Sequence, residues 1–157
     1  MFANDGRPGD EFGSSVDLRS HILVVGAPGA EPASQRSAGA RGAGYVFVRP
    51  NDTWIEQQKL GATASQSEPY WGMGTAVAVT ADRVVVSAPG LGGFALGYVY
   101  VYDWSGGSLV PTCVLERWEG YGSSLDMVGN RVVVGFPEDG APPIGFADIY
   151  YLPPAGR

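Results

Sequence analysis

Acidic residues are the first chemistry this chain offers. Glu116, Glu119, Glu138 and Asp139 fall in two short stretches that read as loops. A pair of carboxylates across a cleft can hydrolyse a glycosidic bond, one as acid and the other as base or nucleophile. A rim of acids is more often merely solvated, and spacing along the chain does not set the distance across a cleft. Nucleophilic hydrolysis needs a base beside Ser or Cys and a carboxylate to orient it. The one histidine, His21, opens an apolar run beside a turn and reads as a turn-surface residue. The one cysteine, Cys113, lies within an apolar run and reads as a small core residue. Residues 39–44 are glycine-rich but lead into a strand rather than a helix, so they do not read as a phosphate cradle. No catalytic residue is assigned, and the expectation is a protein that is not an enzyme.

Binding chemistry is better represented. The longest loop carries Arg36 and Arg41, which could meet an acidic partner or a saccharide, although a solvated loop is the simpler reading. Trp118, near Tyr121, is the best candidate for an aromatic platform, although packing between blades is the preferred reading. Together with Glu138 and Asp139 these form the candidate ligand-binding set. Hard cations need several oxygen ligands held close together. Asp5, Asp10 and Glu11 make a weak metal alternative, for which a solvated loop is again preferred. Asn51-Asp-Thr53 fits the N-glycosylation pattern in a hairpin.

Composition narrows the classes. The chain has 157 residues, 45% apolar content and a net charge of −6, which argues against a phosphate-tracking surface and against nucleic acid as partner. No apolar run is long enough for a membrane span. The first residues, Met1-Phe-Ala-Asn-Asp, show no signal peptide. A lone cysteine allows no internal disulfide and gives no compartment. With 24 glycines, 12 prolines and many aromatics, turns punctuate short apolar runs throughout, which is the pattern of an all-β chain.

These runs repeat. His21-Ile-Leu-Val-Val-Gly-Ala-Pro-Gly29 returns as Arg83-Val-Val-Val-Ser-Ala-Pro-Gly90 and as Arg131-Val-Val-Val-Gly-Phe-Pro137. Each is preceded by an aromatic-glycine pair (Phe12-Gly13, Trp71-Gly72, Tyr121-Gly122), small residues, an alternating strand and a tight turn. Each is followed by a loop and an aromatic strand (44–48, 97–102 and 146–152). A polar fourth strand closes the first unit (54–60) and the second (109–115), where Pro111 suits an edge. Four antiparallel strands per unit describe a propeller blade. The expected architecture is a β-propeller segment of about three four-stranded blades, the last incomplete. The blades span approximately 11–60, 70–115 and 120–152, and residues 1–10 form the tail of a preceding blade plus an inter-blade loop. Phe12, Trp71 and Tyr121 read as wedges between blades.

The aromatic-glycine opening, the Val-Val-Gly-Ala-Pro stop and the Gly-x-Val-Tyr-Val strand resemble FG-GAP repeats, the blades of integrin α-subunit propellers and of many microbial surface proteins. The first unit carries Phe12-Gly13 and Gly26-Ala27-Pro28 literally, the second Ala88-Pro89, and the third Tyr121-Gly122 and Gly135-Phe136-Pro137. Many such repeats hold calcium between their first and second strands. Here those connections offer at most two carboxylates and each contains an arginine, so tight hairpins without calcium, and no other cofactor, are expected.

Closed propellers have about four to eight blades, so three would leave two apolar blade faces bare unless something covers them. The resemblance implies a protein- or glycan-interaction module for adhesion or surface recognition, extracellular or at the cell surface. It would be completed by self-association, another protein or more of its own polypeptide. A structural subunit of a larger complex without its own ligand is the alternative, and a propeller-based carbohydrate-active enzyme is third.

Overall fold

The three Val-rich runs are the middle of three sheets. Branched side chains favour a pleated surface and short apolar runs suit strands covered on both faces. A computed structural model describes residues 1–30, 42–61, 72–90, 96–137 and 144–155. Among them, the first sheet comprises β1 (Ser15–Arg19), β2 (Ile22–Ala27), β3 (Ala43–Val48) and β4 (Ile55–Leu60). The second comprises β5 (Val77–Val79), β6 (Arg83–Ala88), β7 (Gly97–Ser105) and β8 (Ser108–Arg117). The third has β9 (Ser124–Val128), β10 (Arg131–Phe136) and β11 (Phe146–Tyr151). Each sheet is antiparallel with its strands in chain order. The fold is therefore all-β, with sheets of four, four and three strands that do not close on themselves.

Sheets stack through alternating side chains. Val24 and Val46 of the first sheet pack with Val77, Val79, Val84, Val86 and Tyr100 of the second. The opposite face of the second sheet (Ala78, Val85, Val99, Val101) packs with Tyr121, Val132, Val134 and Phe136 of the third. Cys113 is half-buried against this second layer. Both completed sheets shift register between their third and fourth strands, at Val46/Phe47 and at Val101/Tyr102. In the second, Pro111 stands opposite Tyr102 on the outer strand, where its missing N–H interrupts no further ladder.

The joint between sheets is made of backbone. A Cβ built on Gly26 would lie 1.9 Å from the Gly74 carbonyl oxygen, and one on Gly74 would lie 2.7 Å from the Ala27 nitrogen. Gly74 also has φ of 92°, which side chains disfavour. Ser15 Oγ donates to the Gly74 carbonyl at 2.8 Å, and Asp17 Oδ2 accepts the Val79 N–H at 2.8 Å. Sheet one thus meets the start of sheet two through Ser15, Asp17 and Gly26.

This joint corrects the reading of the second unit. Gly13, Gly74 and Gly122 each donate N–H to the middle strand of their own sheet, at Gly26, Ser87 and Gly135. The following Ser14, Thr75 and Ser123 hydroxyls each turn back to the carbonyl three residues earlier. By that pattern Met73-Gly74, not Trp71-Gly72, stands where Phe12-Gly13 and Tyr121-Gly122 stand. The pocket needs a large apolar side chain before a glycine and does not need an aromatic ring. Met73 and Tyr121 are buried, and Phe12 packs edge-on to Tyr45 at 5.4 Å. Trp71 lies outside the described residues. The first hairpin turns at Ser20 and His21, one residue later than expected, with Ser20 at φ 53°.

The outer faces also differ from the expectation of two bare ones. The first sheet's outer face buries Val25, Tyr45 and Phe47 against Ala3, Phe12 and Trp54, so the lead-in and the β3–β4 hairpin cover much of it. Among the described residues, its inner strand stands open at Val16 and Leu18. The third sheet's outer face is bare at Val128, Val133, Ile149 and Tyr151.

A buried ion pair closes the second layer. Arg83 donates to Asp103 through Nε at 2.6 Å and Nη2 at 2.9 Å, and reaches the Pro153 carbonyl at 3.0 Å. Such a fork satisfies both carboxylate oxygens. Asp103→Ala is expected to cost about 3–5 kcal/mol by stranding the guanidinium in the interior. Gly26→Ala is expected to cost about 1–3 kcal/mol by overpacking the joint. Gly61→Ala, with nothing within 4 Å of its Cβ, should stay within about 0.5 kcal/mol of the parent. Urea midpoints measure all three, and equal effects of the two glycine substitutions would contradict the joint.

Candidate functional site

The described part of the candidate site lies on the connection from β8 to β9. That connection is tied down by its backbone. The Trp118 carbonyl accepts N–H groups from Gly97 and Tyr121, both at 3.2 Å, and Gly120 donates to the Pro89 carbonyl at 2.7 Å. The chain must pass close to β7 there, since a Cβ on Gly97 would lie 2.5 Å from the Tyr121 carbonyl oxygen. Trp118 is thus held by its main chain while its side chain, in a residue 66% exposed, projects outward. It does not wedge between sheets; Tyr121, three residues on, takes that place.

Around Trp118 lies a shallow depression lined by Leu96, Glu116 and Arg117. Arg117 Nε pairs with Asp148 Oδ2 at 2.8 Å, and the guanidinium stands 5.9 Å from the Phe146 ring centre. The Asp148 and Tyr150 contacts hold Arg117 above its ordinary pKa, with the Tyr150 hydrogen bond the largest cause. An indole face beside a fixed cation and an exposed carboxylate can stack the apolar face of a sugar or an apolar side chain and bond the polar groups at its margin. Of the other candidate residues, Arg36, Arg41, Glu138 and Asp139 lie outside the described residues. Glu116 is exposed and Glu119 is half-buried. His21 is exposed at its hairpin, where its carbonyl accepts the Arg49 N–H.

The acidic lead-in is bonded rather than simply solvated. Asp5 accepts from Lys59 Nζ at 2.7 Å and from the Tyr45 hydroxyl at 2.9 Å. The Lys59 ammonium also stands over the Tyr45 ring at 5.0 Å. Asp10 is buried and accepts the Arg7 N–H at 2.8 Å. Glu11 has φ of 56° and uses its carbonyl to receive Ser14. Among the described residues, no group of three or more His, Cys, Asp and Glu side chains stands together as a metal site would require.

Four-stranded antiparallel sheets stacked face to face, inner strand beside inner strand, are blades of a β-propeller, here in an unclosed stack. Residues 1–47, which take in the lead-in and the first three strands of the first blade, match the family model of the FG-GAP repeat. The glycines of the two motifs, Gly26 and the Gly74 that follows Met73, are the two sides of the joint. No curated protein matches the chain. Among the described residues, no helix is long and apolar enough to cross a membrane.

Several contacts were not visible in sequence. Nothing local marks Asp17 or Ser15 as reaching the next blade, because their partners lie about sixty residues away. The Arg83–Asp103 pair had a faint signal, an arginine opening a Val-rich strand opposite an aspartate that ends an aromatic one.

Lys59, ahead of Tyr45, holds the Asp5 carboxyl below its ordinary value of 3.8. A lowered folded-state pKa means stability present above that ordinary value and lost as pH falls through the folded one. Asp5 and Lys59 are both partly exposed, so the pair is worth less than about 1 kcal/mol. In low salt, Asp5→Asn is expected to lower stability slightly at pH 7, with the deficit shrinking as pH falls below 3.8. A deficit that does not change with pH would contradict this.

Proposed function

We propose that this chain is a non-catalytic interaction module, in which stiff propeller blades hold loop-borne residues against a protein or glycan ligand. Trp118 is the centre of that site. The loop residues Arg36, Arg41, Glu138 and Asp139 are the further ligand contacts, and no catalytic residue is assigned. The observation that carries this reading is an indole pinned by its backbone yet left open to solvent, next to Arg117 and Glu116. Exposed aromatics on rigid supports lose little conformational entropy on binding, which is why they recur at recognition surfaces. The FG-GAP match in the first blade supports adhesion or recognition outside the cell as the setting. No cofactor is proposed.

A second reading is a structural subunit whose blades pack into a larger assembly, and the bare outer face of the third sheet favours it. Surface plasmon resonance against panels of glycans and extracellular proteins separates the two. The recognition reading expects binding that Trp118→Ala weakens about tenfold, the equivalent of about 1.4 kcal/mol, without a change in Tm. Undiminished affinity in that variant would remove Trp118 from the site. No binding in either panel would favour the subunit.

A further inference from the structure

The third sheet carries one half of a joint whose other half stands at the opposite end of the molecule. Within the chain, the first blade presents Ser15, Asp17 and Gly26 to the second. Asp17 divides its oxygens: Oδ1 takes its neighbour's N–H from Leu18 and Oδ2 takes the N–H of Val79 across the joint, both at 2.8 Å. Ser124, Asp126 and Gly135 hold the matching places on the third blade, by the register of β9 and β10 and by the shared bond from Gly122 to Gly135. The details agree. Ser124 Oγ lies 2.2 Å from where a Gly135 Cβ would be, as Ser15 Oγ lies 2.3 Å from that of Gly26. Asp126 Oδ1 takes the Met127 N–H at 2.7 Å. Its Oδ2 is left on an exposed face beside Val133 and Ile149, in a depression that also includes Val128, Arg131 and Tyr151.

The complementary half is the inner edge of the first blade. Gly13 has φ of 99° and nothing within 4 Å of a Cβ, whereas its counterpart Gly74 is enclosed by Gly26, Ala27 and Ala43. Val16 and Leu18 are 63% and 57% exposed, while Val77 and Val79, which hold the same places on the second blade, are 7% and 4% exposed. At the other end Ile149 is 60% exposed, where Val101 of the second blade is 1%.

We propose that the outer face of the third blade docks the Gly13–Leu18 edge of a second copy of this chain, joining copies head to tail through Ser124, Asp126 and Gly135. Ser124 Oγ donates to the partner copy's Gly13 carbonyl, and Asp126 Oδ2 accepts its Leu18 N–H, shared with Asp17. The apolar residues left open on the two sides, Val16 and Leu18 on one and Val133 and Ile149 on the other, meet across the joint. A head-to-tail contact either closes or grows. This rests on the interaction module proposed above and names a second copy of the chain as what covers its bare blade face. Association without ligand binding would leave the joint standing and the recognition reading refuted, and the reverse result would do the opposite.

The test is light scattering on the full chain over a range of concentrations, with one variant blocked at each end. Asp126→Arg blocks the third-blade face and Leu18→Arg blocks the first-blade edge; both positions are exposed. The parent is expected at twice the chain mass or above. Each variant alone is expected at the mass of one copy, with its dissociation constant raised at least about tenfold. An equimolar mixture is expected to recover pairs, because each variant keeps the end the other lacks. If either variant loses the parent β-sheet circular dichroism, Ile149→Lys and Val16→Lys replace the pair. A parent at the mass of one copy throughout, variants that associate like the parent, or a mixture that stays at single mass would each overturn the proposal.

Discussion

Everything in this molecule depends on two strips of backbone being able to touch. Where the first blade meets the second, Gly26 and Gly74 approach until neither has room for a methyl group. Sheet faces normally stack about 10 Å apart, with side chains between them. Near the inner strands that spacing collapses, and only main chain fits. Ser15 and Asp17 then bond to main-chain groups of the next blade. The side-chain layers further out, Val24 and Val46 against Val84 and Val86, fill the widening space between the sheets. A narrow inner joint and a broad outer layer together set the wedge shape that allows blades to fan out.

This constraint explains what could be read from the sequence and what could not. The Val-rich strands and the turns between them were legible because each is a local pattern, a run of branched residues stopped by glycine or proline. The glycines at Gly13, Gly26, Gly122 and Gly135 were legible for the same reason. The second unit misled because it offers two glycines two residues apart, Gly72 and Gly74, and the more conspicuous aromatic precedes the wrong one. The hydrogen bond from Gly74 to Ser87 and the turn of the Thr75 hydroxyl back to the Gly72 carbonyl distinguish them. Ser87 also shows that the motif tolerates a small polar residue: its hydroxyl bonds with the Ala76 main chain, inside the sheet rather than across the joint.

The candidate site was only partly legible. Trp118 could be marked as an aromatic in a loop, but whether such a ring packs or projects is decided by its neighbours' backbone. Here two N–H groups bind its carbonyl and turn the side chain outward. The bonds of the acidic lead-in were not legible either. Asp5 is engaged by Lys59 and Tyr45, from strands about forty to fifty residues away, and no spacing rule announces such a pairing. Function in a molecule of this kind rests on stiffness: the sheets and their joints hold the loops, and the loops carry the contacts.

The most direct measurement of the joint is hydrogen exchange at a single amide. The Val79 N–H bonds to Asp17 Oδ2 of the preceding blade. Inter-blade contact predicts strong protection of that amide in the parent and its marked loss in Asp17→Ala, with the β2–β3 amides unchanged. Exchange of the Val79 amide at an unprotected rate in the parent, or protection indifferent to Asp17, would contradict it.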